Sequence, residues 1–284
     1  MTSTFPVHGA GLGLRRAFIG PLSERPPSSV DFYEIVPENW IRIGGSYGKK
    51  LRALTEQFPF VSHGLSLSIG SPDPLDIEFI REVSAFQKRH QLKIYTEHLT
   101  YCSDGGHMYD LMPIPFTEEA VDYVANRIIQ VQDIMGEQIA IENASYYAAP
   151  GKEMEEIDFI NAVIKKADCK LLLDINNIYV NSVNHQYNAE EFLKQLPGER
   201  ISYAHIAGHY NEAEDIIIDS HGAKVIDPVW RLLDTAYEHF GLFPTLLERD
   251  FNIPPLADLL EEVDLIQQAQ AHHASTQKQK HASG

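Results

Sequence analysis

Eight short stretches with strand character recur along the chain, and segments of helical periodicity lie between several of them. They are GAGLGL (9–14), VDFYEIV (30–36), FVSHG (60–64), KIYTEHL (93–99), QIAIENA (138–144), KLLLDIN (170–176), ISYAHIA (201–207) and PTLLERD (244–250). Strands that alternate with helices build parallel β/α units. Eight such units in 284 residues predict an α/β protein of the closed TIM (β/α)₈ barrel type. The alternative, an open doubly wound sheet, binds its ligand at a switch point and carries a G-x-G-x-x-G turn into a helix. GAGLGL opens a strand and does not turn into a helix, so the barrel is the expected fold.

The intervening segments carry helix punctuation. In SPDPLDIEFIREVSAFQKRH, Asp73 is placed to cap and Pro74 to open a helix whose Phe79, Val83 and Phe86 repeat at helical spacing. In FTEEAVDYVANRIIQVQDIMG, Thr117 caps, Val121, Val124, Ile128, Val131 and Met135 form one stripe, and Gly136 stops it. DPVWRLLDTAYEHFG repeats the device with Asp227, Pro228 and Gly241. The Pro-rich RRAFIGPLSERPPSS is expected to hold no regular helix. Residues 1–267 read as one barrel domain. The end, QAQAHHASTQKQKHASG (268–284), is small and polar and reads as a disordered tail, with His272, His273 and His281 solvated.

Charge and composition narrow the partners. With 40 acidic against 23 basic residues the net charge is −17, which opposes binding to nucleic acid, where Lys and Arg neutralising phosphates supply most of the affinity. No apolar run reaches the eighteen or so residues a membrane span needs. MTSTFPVHGAGLG lacks the basic start and apolar centre of a secretion signal. Cys102 and Cys169 lie far apart without metal or redox spacing, which fits a reducing cytoplasm and leaves a bridge between them open.

The chemistry sits at the strand ends. KLLLD runs three leucines into Asp174, and burying that carboxylate costs several kcal/mol unless something compensates it. Successive stretches end in His63, His98, Glu142, Asp174, His205 and Glu248, and DSHG adds Asp219 and His221. In a barrel these carboxyl ends share one mouth. Any one of these residues alone is most often a hydrogen-bonded core or capping group; six in succession form a ligand set. Gathered carboxylates repel one another unless cations lie among them, so bound metal ions are the expected compensation for Asp174. His63, His98 and Glu142 form a two-histidine, one-carboxylate set that suits non-haem Fe(II), and that zinc and manganese also accept. Asp174, His205 and Glu248 offer a second site with Glu142 placed to bridge, and Asp219 with His221 a weaker third. Glu97 and Asn143, each adjacent to a ligand, point the other way on an ideal strand and serve support or packing.

This ligand order is similar to that of the xylose-isomerase-like barrel superfamily, including the trinuclear-zinc endonuclease IV group. There a His stands three residues after the sixth-strand Asp; here the position is Asn177, a weaker ligand for a third site. The closer resemblance is to the multinuclear non-haem iron-dependent oxidative enzymes, the family of the methanobactin-biosynthesis iron protein. VPENW (36–40), SHGLSLSIG (62–70), YTEHLTY (95–101), IENASYY (141–147), LLDINNIYVN (172–181), HIAGH (205–209), DSHG (219–222) and LLERD (246–250) carry it, over about residues 9–250. The resemblance implies a barrel with two or three irons that uses O₂ as co-substrate on a Cys-containing precursor peptide, made on the ribosome and presented by a leader-binding partner protein. Its implied products are an oxazolone-thioamide, a thiooxazole or a cysteine stripped of its β-carbon. Glu142, His98 and Asp174 would carry catalysis, with Asn143 and Tyr146 orienting ligands. The competing readings are a zinc phosphodiesterase resembling endonuclease IV, against which the acidic balance counts, and a sugar isomerase, which would want a Lys near the strand ends.

Overall fold

The computed structural model describes residues 5–282. Among them are twelve strands, and each of the eight predicted stretches supplies one strand of a closed parallel barrel. The barrel strands are β1 (Ala10–Gly13), β2 (Phe32–Ile35), β3 (Phe60–His63), β4 (Tyr95–His98), β7 (Ala140–Glu142), β8 (Lys170–Asp174), β9 (Ile201–Ile206) and β12 (Thr245–Leu247), which pairs back with β1. Two hairpins not anticipated from sequence, β5 (Thr100–Ser103) with β6 (His107–Pro113) and β10 (Tyr210–Ala213) with β11 (Ile216–Ile218), follow β4 and β9. Nine α-helices and three short 3₁₀ turns complete the described chain, the α-helices being α1 (Ile19–Glu24), α2 (Gly45–Thr55), α3 (Ile77–His90), α4 (Glu118–Met135), α5 (Glu156–Ala167), α6 (Ile175–His185), α7 (Ala189–Leu193), α8 (Asp227–Phe240) and α9 (Leu256–Ala282).

Alternation along the strands splits the core in two. Outward positions such as Tyr33, Tyr95, Ile141, Leu173 and Leu247 pack with the helices in the large apolar cluster. Val7, Phe32, Val61, Ile94, Ala140, Leu172, Tyr203 and Leu246 form a second, smaller cluster inside the barrel. Side chains two residues apart face the same way on a strand. The next inward position above this plug is therefore Glu34, His63, Thr96, Glu142, Asp174, His205 and Glu248, all buried. A dry floor thus carries a polar layer at the carboxyl ends of the strands.

Several boundaries differ from the sequence reading. Asp76, not Asp73, caps α3 by accepting from the Phe79 amide, while Asp73 accepts from the amide of Gly105. Asp227 lies inside α8, and the capping residue Ile226 makes no side-chain bond. The first crossover does contain a short helix, α1, ending where the chain reaches the Pro-rich stretch. Thr117 and Gly136 cap α4 as expected, the glycine in the left-handed region with φ +76°.

The expectation of a disordered tail from residue 268 is corrected as far as residue 282, because α9 continues through it; residues 283–284 lie outside the described residues. The stretch 268–282 contains neither Gly nor Pro, and its Ala, Gln and Lys propagate a helix already docked by Leu259, Val263 and Ile266. Gln270 donates to the Gly9 carbonyl, and buried His273 bonds Asp234 at 3.0 Å.

Candidate metal centre

Parallel register sets the rim: His98 lies opposite Glu142, and Asp174 opposite His205. His63 Nε2, His98 Nε2 and Glu142 Oε2 form a triangle with sides of 3.0, 3.2 and 3.3 Å. Bonds of 2.0–2.2 Å from one ion would place neighbouring ligand atoms about 3.0–3.4 Å apart, so the triangle has the size of a coordination face. The other oxygen of Glu142 faces the second set: its Oε1 lies 3.7 Å from His205 Nδ1, which is 3.8 Å from Asp174 Oδ2 and 2.8 Å from Glu248 Oε2. Beyond it, His221 Nε2 is 2.7 Å from Asp219 Oδ1 and 3.9 Å from Asp174 Oδ2, while its Nδ1 is 3.2 Å from Glu248 Oε2. Every residue proposed from sequence as a ligand therefore reaches one mouth.

Asp174 does two things. It ends β8 and caps α6, its Oδ1 accepting the Asn177 amide at 2.6 Å, which leaves Oδ2 to the mouth. Asn143 grips its backbone from the neighbouring strand, donating to the Asp174 carbonyl and accepting its amide, each at 2.9 Å. Glu97 turns away as expected, taking the Tyr95 hydroxyl and the Leu67 amide. Tyr146, expected to orient ligands, instead donates to Glu156. Its neighbours do that work: the Ser145 hydroxyl donates to Asp219 Oδ2, and Tyr147 Oη accepts the Asp219 amide.

Six buried polar atoms at this rim make no hydrogen bond of good geometry, although ion-pair contacts reach all but the Asn177 oxygen: Glu142 Oε2, Asp174 Oδ2, Asn177 Oδ1, His205 Nδ1, His221 Nε2 and Glu248 Oε2. Each such atom costs about 1–3 kcal/mol if nothing answers it. One atom from each of six expected ligands, all lone-pair donors and all crowded together, is the pattern that cations would satisfy. Residue groups able to hold an ion include His63, Glu142 and His205; Glu142, Asp174, His205 and Glu248; and His221, Glu248 and Asp250. Asn177 also donates from Nδ2 to Glu142 Oε1 at 3.3 Å, which brings to the rim the amide that the resemblance pointed to.

The charges fit the same account. Burial works to protonate Glu142, but the His63 and His98 imidazoles hold it well below the usual carboxylate range. Burial works to neutralise His98, and Glu142, Glu97 and Glu248 together outweigh it, raising the imidazole to about 9. Asp174 is pushed well up, chiefly by burial and by the facing Glu142. The protein's own groups thus favour the neutral form of Asp174, and a cation beside it would favour the ionised one.

Sequence reasoning missed Glu34, Thr96, Tyr203 and Asp250. Glu34 Oε2 sits 2.9 Å from His205 Nε2, and Asp250 Oδ2 lies 3.5 Å from His221 Nδ1. The signal for Glu34 was present, because Phe32-x-Glu34 repeats the apolar-x-polar step of Val61-x-His63 and Leu172-x-Asp174. His221 itself takes the left-handed region at φ +44°, a costly conformation for a non-glycine residue and one often found at functional sites. A cavity of about 690 Å³ opens over the rim, walled by His63, His98, His221 and Glu248 and edged by Tyr109 and Phe251.

A closed eight-stranded barrel with this cluster at its carboxyl-terminal mouth has the xylose-isomerase-like shape. A xylose isomerase domain protein from Planctomyces limnophilus superposes with a TM-score of 0.61 at 13% identity, over 95% of this chain and 99% of that one. The chain belongs to the family of RiPP precursor modification enzymes MbnB/TglH/ChrH, whose model matches residues 9–271. It is 58% identical over 260 residues to a UPF0276 protein of Shewanella sediminis, covering 92% of this chain and 94% of that one. It is 60% identical over 268 residues to a UPF0276 protein of Alcanivorax borkumensis, covering 91% and 90%.

Proposed function

We propose that this chain is an iron-dependent oxidase that modifies cysteine residues of a ribosomally made precursor peptide with O₂. The observation that carries the reading is the convergence of buried imidazoles and carboxylates, several of their polar atoms without a well-formed hydrogen bond, at the mouth of a barrel that belongs to a precursor-modifying family. His63, His98 and Glu142 would hold one iron; Glu142, Asp174, His205 and Glu248 a second; and Asn177, Asp219 and His221, with Asp174 shared, a third. His98, Glu142 and Asp174 are the residues on which catalysis depends. Bound there, iron supplies a Lewis acid for a cysteine thiolate and one-electron chemistry toward O₂. The hard N/O donor set without thiolate fits iron(II) better than a structural zinc site, which prefers closed Cys/His sets.

The protein's own residues set the rest. Within the first set His98 is the ligand nearest the solvent, its side chain 13% exposed against 3% for His63 and 1% for Glu142, so a substrate thiolate entering that set meets His98 first. Asn143 and Asn177 hold Asp174 and Glu142 fixed while a substrate enters. The rim offers Tyr109, 97% exposed, and Phe251, 63% exposed, as side chains for an extended peptide to cover. A separate leader-binding protein would present that peptide, since the mouth itself spans only a few residues. Both cysteines are buried and free, which supports a reducing cytoplasm as the working compartment.

The test is anaerobic loading with iron(II), followed by O₂ and a Cys-containing precursor from the neighbouring genes, with its partner protein. Oxygen consumption and a peptide mass change confined to cysteine are expected, and His98→Ala and Glu142→Ala lose both together with bound iron. Full activity in a zinc-only preparation, or in either variant, refutes the reading.

A further inference from the structure

Beneath the rim, a continuous hydrogen-bonded chain crosses the barrel interior and ties one histidine of the first metal set to one of the second. His63 Nδ1 meets Thr96 Oγ1 at 2.8 Å, Thr96 Oγ1 meets Tyr203 Oη at 3.1 Å, Tyr203 Oη donates to Glu34 Oε2 at 2.5 Å, and the same oxygen meets His205 Nε2 at 2.9 Å. All five residues are at most 3% exposed. They come from β3, β4, β9 and β2, and neither β4 nor β2 neighbours β9 in the sheet, so the chain runs through the barrel rather than along its wall.

One assignment of hydrogens satisfies every member. A carboxylate only accepts, so Glu34 Oε2 takes the Tyr203 hydroxyl from one side and the His205 Nε2–H from the other. Tyr203, having donated, can accept from Thr96. Thr96, having donated its one proton to Tyr203, accepts from His63 Nδ1–H. The consequence lies at the far side of each ring. His63 is left with its lone pair on Nε2, which lies 3.0 Å from Glu142 Oε2. His205 is left with its lone pair on Nδ1, 3.7 Å from Glu142 Oε1. The two histidines thus coordinate through different nitrogens, and a single carboxylate at the end of the chain dictates both.

We infer that Glu34, Tyr203 and Thr96 are positioning residues that select the metal-binding nitrogen of His205 and His63 and couple the two sites that share Glu142. This rests on the reading of those sites as metal sites. Glu34 acts on the second site directly, Thr96 on the first, and Tyr203, between them, on both. A ligand histidine whose outer hydrogen bond is lost typically loses about 10–100-fold in metal affinity.

The test is an anaerobic titration of the whole chain with cobalt(II), a visible reporter, and with iron(II), followed by absorption and metal content. Glu34→Gln is expected to weaken one class of site by about 10–100-fold and alter its cobalt spectrum. Thr96→Val is expected to weaken the other class, and Tyr203→Phe both. Thr96→Ser, which restores the hydroxyl, returns wild-type affinity and spectrum, an outcome that a volume or packing effect of Thr96→Val would not give. Glu142→Ala separates the two levels of inference. If it abolishes binding while Glu34→Gln, Tyr203→Phe and Thr96→Val bind as wild type, the positioning chain is refuted and the metal sites stand. If Glu142→Ala also binds as wild type, the metal sites themselves fall.

Discussion

Glu142→Gln should erase most of the stability that metal confers, because this one side chain faces both principal sites. Its Oε2 lies 3.0 and 3.3 Å from the imidazoles of His63 and His98, and its Oε1 faces His205. An ion held at about 100 times its dissociation constant stabilises the fold by about 2.7 kcal/mol, so two filled sites contribute about 5 kcal/mol. A chain of 284 residues has an unfolding entropy of about 0.6 kcal/mol/K, which converts that figure to a rise of about 9 °C in Tm. The amide keeps the shape but carries no charge and offers one lone-pair oxygen where two are needed. The increment between chelator-treated and metal-loaded protein should therefore fall from about 9 °C to about 2 °C or less. His98→Ala touches only the first site and should keep about half of it. Differential scanning fluorimetry under nitrogen measures the increments directly, and taking a difference cancels what each substitution does to the metal-free fold. An undiminished increment in Glu142→Gln, or equal losses in the two variants, would refute the bridging role.

Three further outcomes follow from other parts of the barrel. Glu156 is buried beneath Tyr146, Asn181 and Lys152, and burial raises its carboxyl to about 7. The folded form then keeps a proton that the unfolded chain has lost between about pH 4.5 and 7, so stability falls as pH rises across that window, by about 3 kcal/mol in all. Urea midpoints of Glu156→Gln should show that slope flattened, and an unchanged slope would count against it. Gly208→Ala would set a methyl 2.3 Å from the carbonyl oxygens of Ala223 and Lys224, backbone atoms that cannot swing aside. A loss of about 1–3 kcal/mol is expected, with weaker binding at the site holding His221, readable by denaturation and metal titration. Glu262→Ala strands the buried Arg249, its partner at 2.7 Å, and releases the Val225 amide, so about 3–5 kcal/mol of stability should go.

What could be read in the chain divides along physical lines. Strand positions were legible because each barrel strand is a short apolar run buried on both faces, and the polar residues that end those runs are His63, Glu142, Asp174, His205 and Glu248. Helix starts were less so. Asp73 and Asp76 both stand before the α3 stripe, and a side chain three residues from the right amide caps only if the backbone presents it, which spacing does not reveal. The hairpins after β4 and β9 were invisible because one strand of each, β6 and β10, has no buried face to impose a period. The end of the chain was misjudged for the converse reason: polar composition describes the solvent side of α9, whereas Gln270 and His273 hold it to the barrel through hydrogen bonds that hydropathy does not register.

Glu34 shows where reading strand by strand stops short. On its own strand it is a carboxylate two residues above Phe32, no different in pattern from a ligand, yet it lies across the barrel from Glu142 and spends its charge on His205 and Tyr203. Which acids face the proposed metal sites and which brace the imidazoles is decided by register. With His98 opposite Glu142 and Asp174 opposite His205, a slip of one residue in β7 would bring Asn143 inward and turn Glu142 toward the helices, leaving His63 and His98 without their shared anion. The apolar plug beneath the rim forbids that slip, because the same shift would drive Ile141 into the space Ala140 now fills beside Leu172. Packing at the floor of the barrel therefore fixes the chemistry at its mouth, and substitutions at Ala140 should disturb metal binding without touching a ligand.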